Sequence, residues 1–449
     1  MNRRRIAILG AAAAIVVCAL AARAQGRSDD LQGPPPLVDD AGPTDLRAPP
    51  GAFVVSDASG LAAALADPEG SRDVWLRPGT YRGDFAVNRT LALHGEKGVI
   101  LEGTGTSTVL TVTADDAWID NVTVRHSGRR HTVEDAGIKA KASRVSVTHV
   151  AVDDALFGVI FAPCPGCVLD HSRVRGTSDD EELRGDGVKL WESSDAIVRG
   201  CVVEESRDLV VWYSRRVLFD HNVVRHGRYG THFMYAHDSI VRGSRIESNV
   251  VGIFVMYSNH LHVEGNVLAG ARGPAGVGIG FKESDGVDVH DNWIVANTTG
   301  TYIDRTPRSI DAPVVFERNV LALNDVALRL HSSEEGLSFV SNDFHQNVKV
   351  AEVEGGGDAM AVRFEGNHWT EYEGYDLDHD GFGDVAFEVK QLSGELTDAH
   401  PSLQFFDGTG AMSVIDAVAR AVPVLAAHRV LVDRHPAVTA PRPRAGGAS

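Results

Sequence analysis

Histidine, methionine and tryptophan recur at matching offsets in successive segments of this 449-residue sequence. His232, Met234 and His237 stand in Tyr229-Gly-Thr-His-Phe-Met-Tyr-Ala-His. Met256 stands in Val255-Met-Tyr-Ser with His260 four residues on, and Trp212 holds the matching place one segment earlier. The chain has only five methionines, so two at equivalent places in neighbouring segments form a concentration. Thioether and imidazole together suit Cu(I), a soft ion, whereas calcium and magnesium take oxygen ligands. The competing reading is that Met and Trp cover a nearby loop, with His237 and His260 as solvated turn residues.

Other segments carry different chemistry. Asp376, Asp378, Asp380 and Asp384, with Gly381 at the sharp turn, resemble the first nine residues of a calcium-binding EF-hand loop. Phe387 stands where the bidentate glutamate belongs, so the choice lies between structural Ca2+ and a hydrated acidic turn. Asp179, Asp180, Glu181, Glu182 and Asp186 gather near Lys189, a composition that a polyuronate lyase or epimerase would use for proton abstraction. The run reads equally well as a solvated loop, so a carbohydrate-active enzyme is the alternative function. Four cysteines are present. Cys164 and Cys167 form a C-x-x-C pair, either a disulfide or half of a metal site.

These residues need a scaffold, and a repeat supplies it. Asn222, Asn266, Asn292, Asn319, Asn342 and Asn367 each follow the same short phrase of alternating apolar residues. Asn121, His149, Ser172, Cys201 and Ser244 are read into the same slot elsewhere, which gives spacings of 21 to 29 residues. Gly158, Gly187, Gly230, Gly252 and Gly278 each stand 14 residues before a slot and open a second alternating stretch. Period-two patterning means strands, and a period near 25 is too short for a propeller blade. The fold expected is all-β: a right-handed parallel β-helix, a solenoid of eleven or twelve coils about 55 Å long at strand spacing. Along its strands the second and fourth residues after each glycine face outward. His232, Met234 and Met256 thus fall on one exterior strip.

The ends differ from the repeat. Residues 1–24 carry three consecutive arginines at Arg3–Arg5, an apolar stretch Ile6–Ala22 and a fourth arginine in Ala22-Arg-Ala24, and read as a cleavable signal peptide. Cleavage after Ala24 takes the formal charge from −18 to −22, which argues against nucleic acid. Residues 25–50 read as a disordered linker and 51–370 as the β-helix, with a short capping helix near Ser59–Ala66. Residues 371–436 form a C-terminal extension with the Asp-rich loop and a helix over Met412–Leu425, and 437–449 a disordered tail. Export to the periplasm follows.

The sequence resembles the NosD family of periplasmic nitrous oxide reductase maturation proteins. The resemblance rests on the segments Tyr229–Ser239 and Val255–Ser258, on Gly366-Asn-His-Trp369 through Gly374-Tyr-Asp376 to Asp384, on His400-Pro401, and on Ala421–Leu425 with Val432-Asp433. It implies a non-enzymatic copper-binding protein that works beside an ABC-type transporter permease and ATPase and a copper chaperone lipoprotein. Together they would supply the copper–sulfur cluster of nitrous oxide reductase. The resemblance marks His232, Met234, His237 and Met256 as copper-handling residues; His260 is added from its position. By the same resemblance the C-terminal helix would dock on the transporter.

Overall fold

The computed structural model describes residues 40–441 apart from 178–179, 332–333, 355–356, 392–399, 407–408, 410–413 and 415–427. The expected signal peptide, residues 25–39 of the expected linker and all of the expected 412–425 helix except Val414 lie outside these residues.

One coil illustrates the rest. The chain runs through Leu218–Asp220, turns into Val223–Arg225, turns again into Tyr229–Met234, and re-enters the first sheet at Ile240–Arg242. Each strand pairs in parallel with its counterpart one coil on, as Leu218 with Ile240, Val223 with Arg245 and Met234 with Met256. Three sheets result, of 16, 13 and 12 strands. The solenoid thus has about thirteen turns, slightly more than the sequence repeat suggested. Alternation along each strand sends one side chain in and the next out. Phe219, Val224 and Phe233 of this coil are buried in one continuous core with their counterparts above and below, such as Val241, Ile246 and Val255.

Polar ladders hold the corners. Asn266, Asn292, Asn319, Asn342 and Asn367 stack so that each side-chain oxygen accepts the backbone N–H of the residue one coil earlier, at 2.9–3.0 Å. Each amide also donates to a carbonyl inside the turn, as Asn292 does to Val263 at 2.7 Å. A parallel run of hydroxyls links Ser193 to Ser214 and Ser258 to Ser284. The register corrects two slots. Thr148 pairs with Asp170 and Asp120, which puts Val122 and Val150, not Asn121 and His149, in line with Ser172. Asn121 and His149 sit one residue earlier, at a turn position with φ of 60° and 51°. Asn tolerates that left-handed conformation, which is why an asparagine in the wrong slot mimics the ladder.

Both ends are closed. Helix Ala58–Ala66 is capped by Asp57, which accepts from the Gly60 N–H at 2.8 Å, and it buries Leu61, Ala64 and Leu65 over the first coil. At the other end His428–Asp433 lies along Arg363–Glu365 and pairs antiparallel with Phe387–Gln391. Asp433 ends the ladder, its fully buried carboxylate accepting from the Asn367 backbone and side chain and from Trp369 Nε1. Cys164 and Cys167 form a buried disulfide. Cys201 fills a ladder slot, and burial pushes its thiol up to about 12, so it packs rather than reacts. Among the described residues no helix is long and apolar enough to cross a membrane.

Candidate metal centre

The third sheet carries the histidine–methionine segment. Within Tyr229–Met234, Thr231 and Phe233 turn inward and are buried, so His232 and Met234 point to the exterior side. Met256 is the register partner of Met234 on the next coil. His232 reaches diagonally across the rungs, and its Nε2 lies 3.4 Å from Met256 Sδ. His232, Met234 and Met256 thus come together outside the solenoid core, as the alternation predicts.

Exterior does not mean bare. His232 is only 9% exposed. Tyr229 stacks on its ring at 4.8 Å, and Trp212 stands perpendicular to it at 5.9 Å. Its Nδ1 is buried without a hydrogen-bond partner. Burial holds its pKa below the usual imidazole value, against the pull of Asp208. A neutral ring keeps a nitrogen lone pair free for a metal.

The flanks of the strip are sealed. Ile160 and Val210, on the coils before, are fully buried, and Ile160 packs with Ala136, Leu156 and Phe157 in a small apolar cluster separate from the main core. On the other side Phe254 lies over Gly280, where a Cβ would come within 2.4 Å of its ring, so only glycine fits. Nearby acids are engaged: Glu134 with Lys189, Asp208 with Arg228 at 2.5 Å, Asp304 with Lys282 at 3.2 Å. What remains at the centre is one imidazole and two thioethers, a donor set for a soft ion.

The other two sequence candidates lie elsewhere. His237 is past the strand end at a corner, where its Nδ1 accepts from the Asn259 N–H at 3.1 Å. Burial and the Arg215 charge lower its pKa. His260, largely exposed at the next corner, pairs with Asp238 at 3.2 Å. Both lie past the strand ends, at Met234 and Met256, that hold the thioethers, and their hydrogen-bond and ion-pair partners are corner groups. Sequence reasoning also missed the stacked column Tyr213, Tyr235 and Tyr257, at 5.2 and 5.1 Å. The signal was present: each tyrosine directly follows Trp212, Met234 or Met256.

In the aspartate-rich loop, carboxylate oxygens of Asp376, Asp378 and Asp380 lie within 4.8 Å of one another. Asp376 also accepts from the N–H groups of His379 and Gly381, which hold its carboxyl below the usual range despite some desolvation. Asp384 does not join that group; it accepts from the Leu377 N–H at 2.8 Å. Tyr372 threads the loop, and a Cβ at Gly374 or Gly383 would collide with its hydroxyl. Lys189, the base an enzyme would need, is buried, tied to Glu134 and laid over Trp191 and Trp212. Asp186 is sealed beside Arg207, and burial raises its pKa to about 6.

Residues 170–374 match the family model described as periplasmic copper-binding protein (NosD). The chain is 29% identical to a probable ABC transporter binding protein NosD of Pseudomonas aeruginosa, over 85% of this chain and 94% of the relative. A protein of the same description from Stutzerimonas stutzeri is 23% identical, covering 83% and 88%. Among solved structures, the AlgE6 A-module of the Azotobacter vinelandii mannuronan C-5 epimerase superposes with a TM-score of 0.55, at 15% identity, over 71% of this chain and 97% of that one. A GH87 α-1,3-glucanase from Streptomyces thermodiastaticus gives 0.51 at 15% identity, covering 75% and 68%. At such identities the likeness is one of fold. The family match, by contrast, spans the strip that holds His232, Met234 and Met256, so residues 170–374 are a NosD domain, the family described as periplasmic copper-binding protein.

Proposed function

We propose that this protein is a periplasmic carrier of Cu(I), exported by its signal peptide, that works with an ABC-type transporter in nitrous oxide reductase maturation. It takes the ion from a copper chaperone lipoprotein and passes it on for the copper–sulfur cluster. The observation that carries this reading is the approach of His232 Nε2 to Met256 Sδ at 3.4 Å, with Met234 in register beside it. Imidazole nitrogen and thioether sulfur favour Cu(I), and three neutral donors hold it without the charge that would make release slow. The protein is a carrier rather than an enzyme, a reading supported by the ion pair that occupies Lys189. Anaerobic Cu(I) titration tests it: wild type binds, while His232→Ala and Met256→Leu fold normally and do not. Wild-type affinity retained in both variants discards the site.

We further propose a structural Ca2+ at Asp376, Asp378 and Asp380, favoured by the convergence of their carboxylates. Calcium there braces the loop between Trp369 and Phe387, whose rings stack at 4.6 Å across the end of the solenoid. Calcium should raise the unfolding temperature of the wild type but not of Asp378→Asn; equal response in both removes the proposal.

A further inference from the structure

The coil before His232 holds a residue whose environment is unexplained by packing alone. Trp212 is the register partner of Met234, in the same column as Met256. Its ring stands at 88° to His232 with centroids 5.9 Å apart. A buried indole normally finds an acceptor for its N–H. The Trp212 Nε1 is buried and has none, so hydrogen bonding does not account for tryptophan here. What the ring does hold is a cation: Lys189 Nζ, from the preceding coil, lies 5.5 Å from its centroid. An indole is the strongest aromatic attractor of positive charge. Lys189 uses the side of Trp212 toward one neighbouring coil; Met234 and His232 belong to the coil on the other side.

We propose that Trp212 closes the copper site, its indole meeting the bound ion as a fourth neighbour beside His232, Met234 and Met256. The inference rests on the copper-carrier reading and names what sets its selectivity. A π system attracts a cation without contributing a hard oxygen donor, and the ring's bulk keeps water from filling the remaining position. Both effects favour a soft monovalent ion over Cu(II), which prefers tetragonal nitrogen and oxygen ligands.

Ag(I), a redox-inert analogue of Cu(I), titrated into the full-length protein tests this through near-UV difference absorption and fluorescence. The expected wild-type result is an indole difference band that grows with occupancy. Trp212→Phe, which keeps a ring in the space, loses that band although five tryptophans remain. Trp212→Leu binds Ag(I) about ten-fold more weakly. Wild-type binding without an indole signal, or unchanged affinity in Trp212→Leu, overturns the role of Trp212 and leaves the His–Met site standing. Failure of the wild type to bind Ag(I) at all overturns the site itself, and the role of Trp212 with it.

Discussion

The asparagine corner and the methionine strip run along the same solenoid and obey opposite rules. At the corner, Asn266, Asn292, Asn319 and Asn342 repeat one arrangement, every amide donating and accepting within the ladder. On the strip nothing repeats for long: Val210, His232, Phe254, Gly280 and Tyr302 succeed one another in a single column. There His232 Nδ1 and Trp212 Nε1 are left without partners. Periodic and satisfied marks structure, because each coil must solve the same problem of buried backbone groups. Aperiodic and unsatisfied marks a place kept for something else.

Substitutions should separate the two. The largest effect on stability is expected at the corner. Asn292→Ala strands the Asn266 N–H in the core, removes one donor to the Val263 carbonyl, and should cost on the order of 3 kcal/mol in denaturant unfolding. Its copper affinity should stay at the wild-type value. His232→Ala should show the converse: a stability loss on the order of 1 kcal/mol. Its Cu(I) affinity should fall by more than the roughly 100-fold that loss of a supporting group costs a metal site. If His232→Ala destabilises as much as Asn292→Ala while copper still binds, the strip is structural and the contrast collapses.

Proton competition sharpens the same contrast. His232 has its pKa lowered below 6.5 by burial, so the neutral ring persists to lower pH than a solvated imidazole. Ag(I) affinity should therefore remain level from pH 8 down to 6.5 and decline only below it; a midpoint at 6.5 would indicate an exposed ligand. The sign for folding is the reverse of a salt-bridged histidine. The unfolded chain takes up the proton first, so this residue lowers stability as pH falls below 6.5. The smallest effects belong to the other corner. His237→Ala and His260→Ala should change affinity by less than about two-fold, since neither belongs to the thioether group. A large loss in either brings the corner into the site.

The legibility of each part follows from how local its cause is. The strands, the coil period and the exterior position of His232, Met234 and Met256 were readable because alternation is written residue by residue. The misplacement of Asn121 and His149 shows the limit. Asparagine serves both a stacking slot and a left-handed turn, and composition cannot tell these apart when the two positions are adjacent. His237 was grouped with the strip through the family resemblance and His260 through its place four residues after Met256. A corner separates them, and its backbone partners decide where the rings go.

The sequence by itself determined the solenoid, its stacking period and the columns in which side chains stand, because each depends on contacts at one fixed separation. Only the tertiary structure decided which column members touch: the diagonal from His232 to Met256, the ring of Phe254 lying over Gly280, and Glu134 reaching across 55 residues to Lys189. Those contacts depend on side-chain direction and on what the neighbouring coil leaves open, and neither is encoded at a constant spacing.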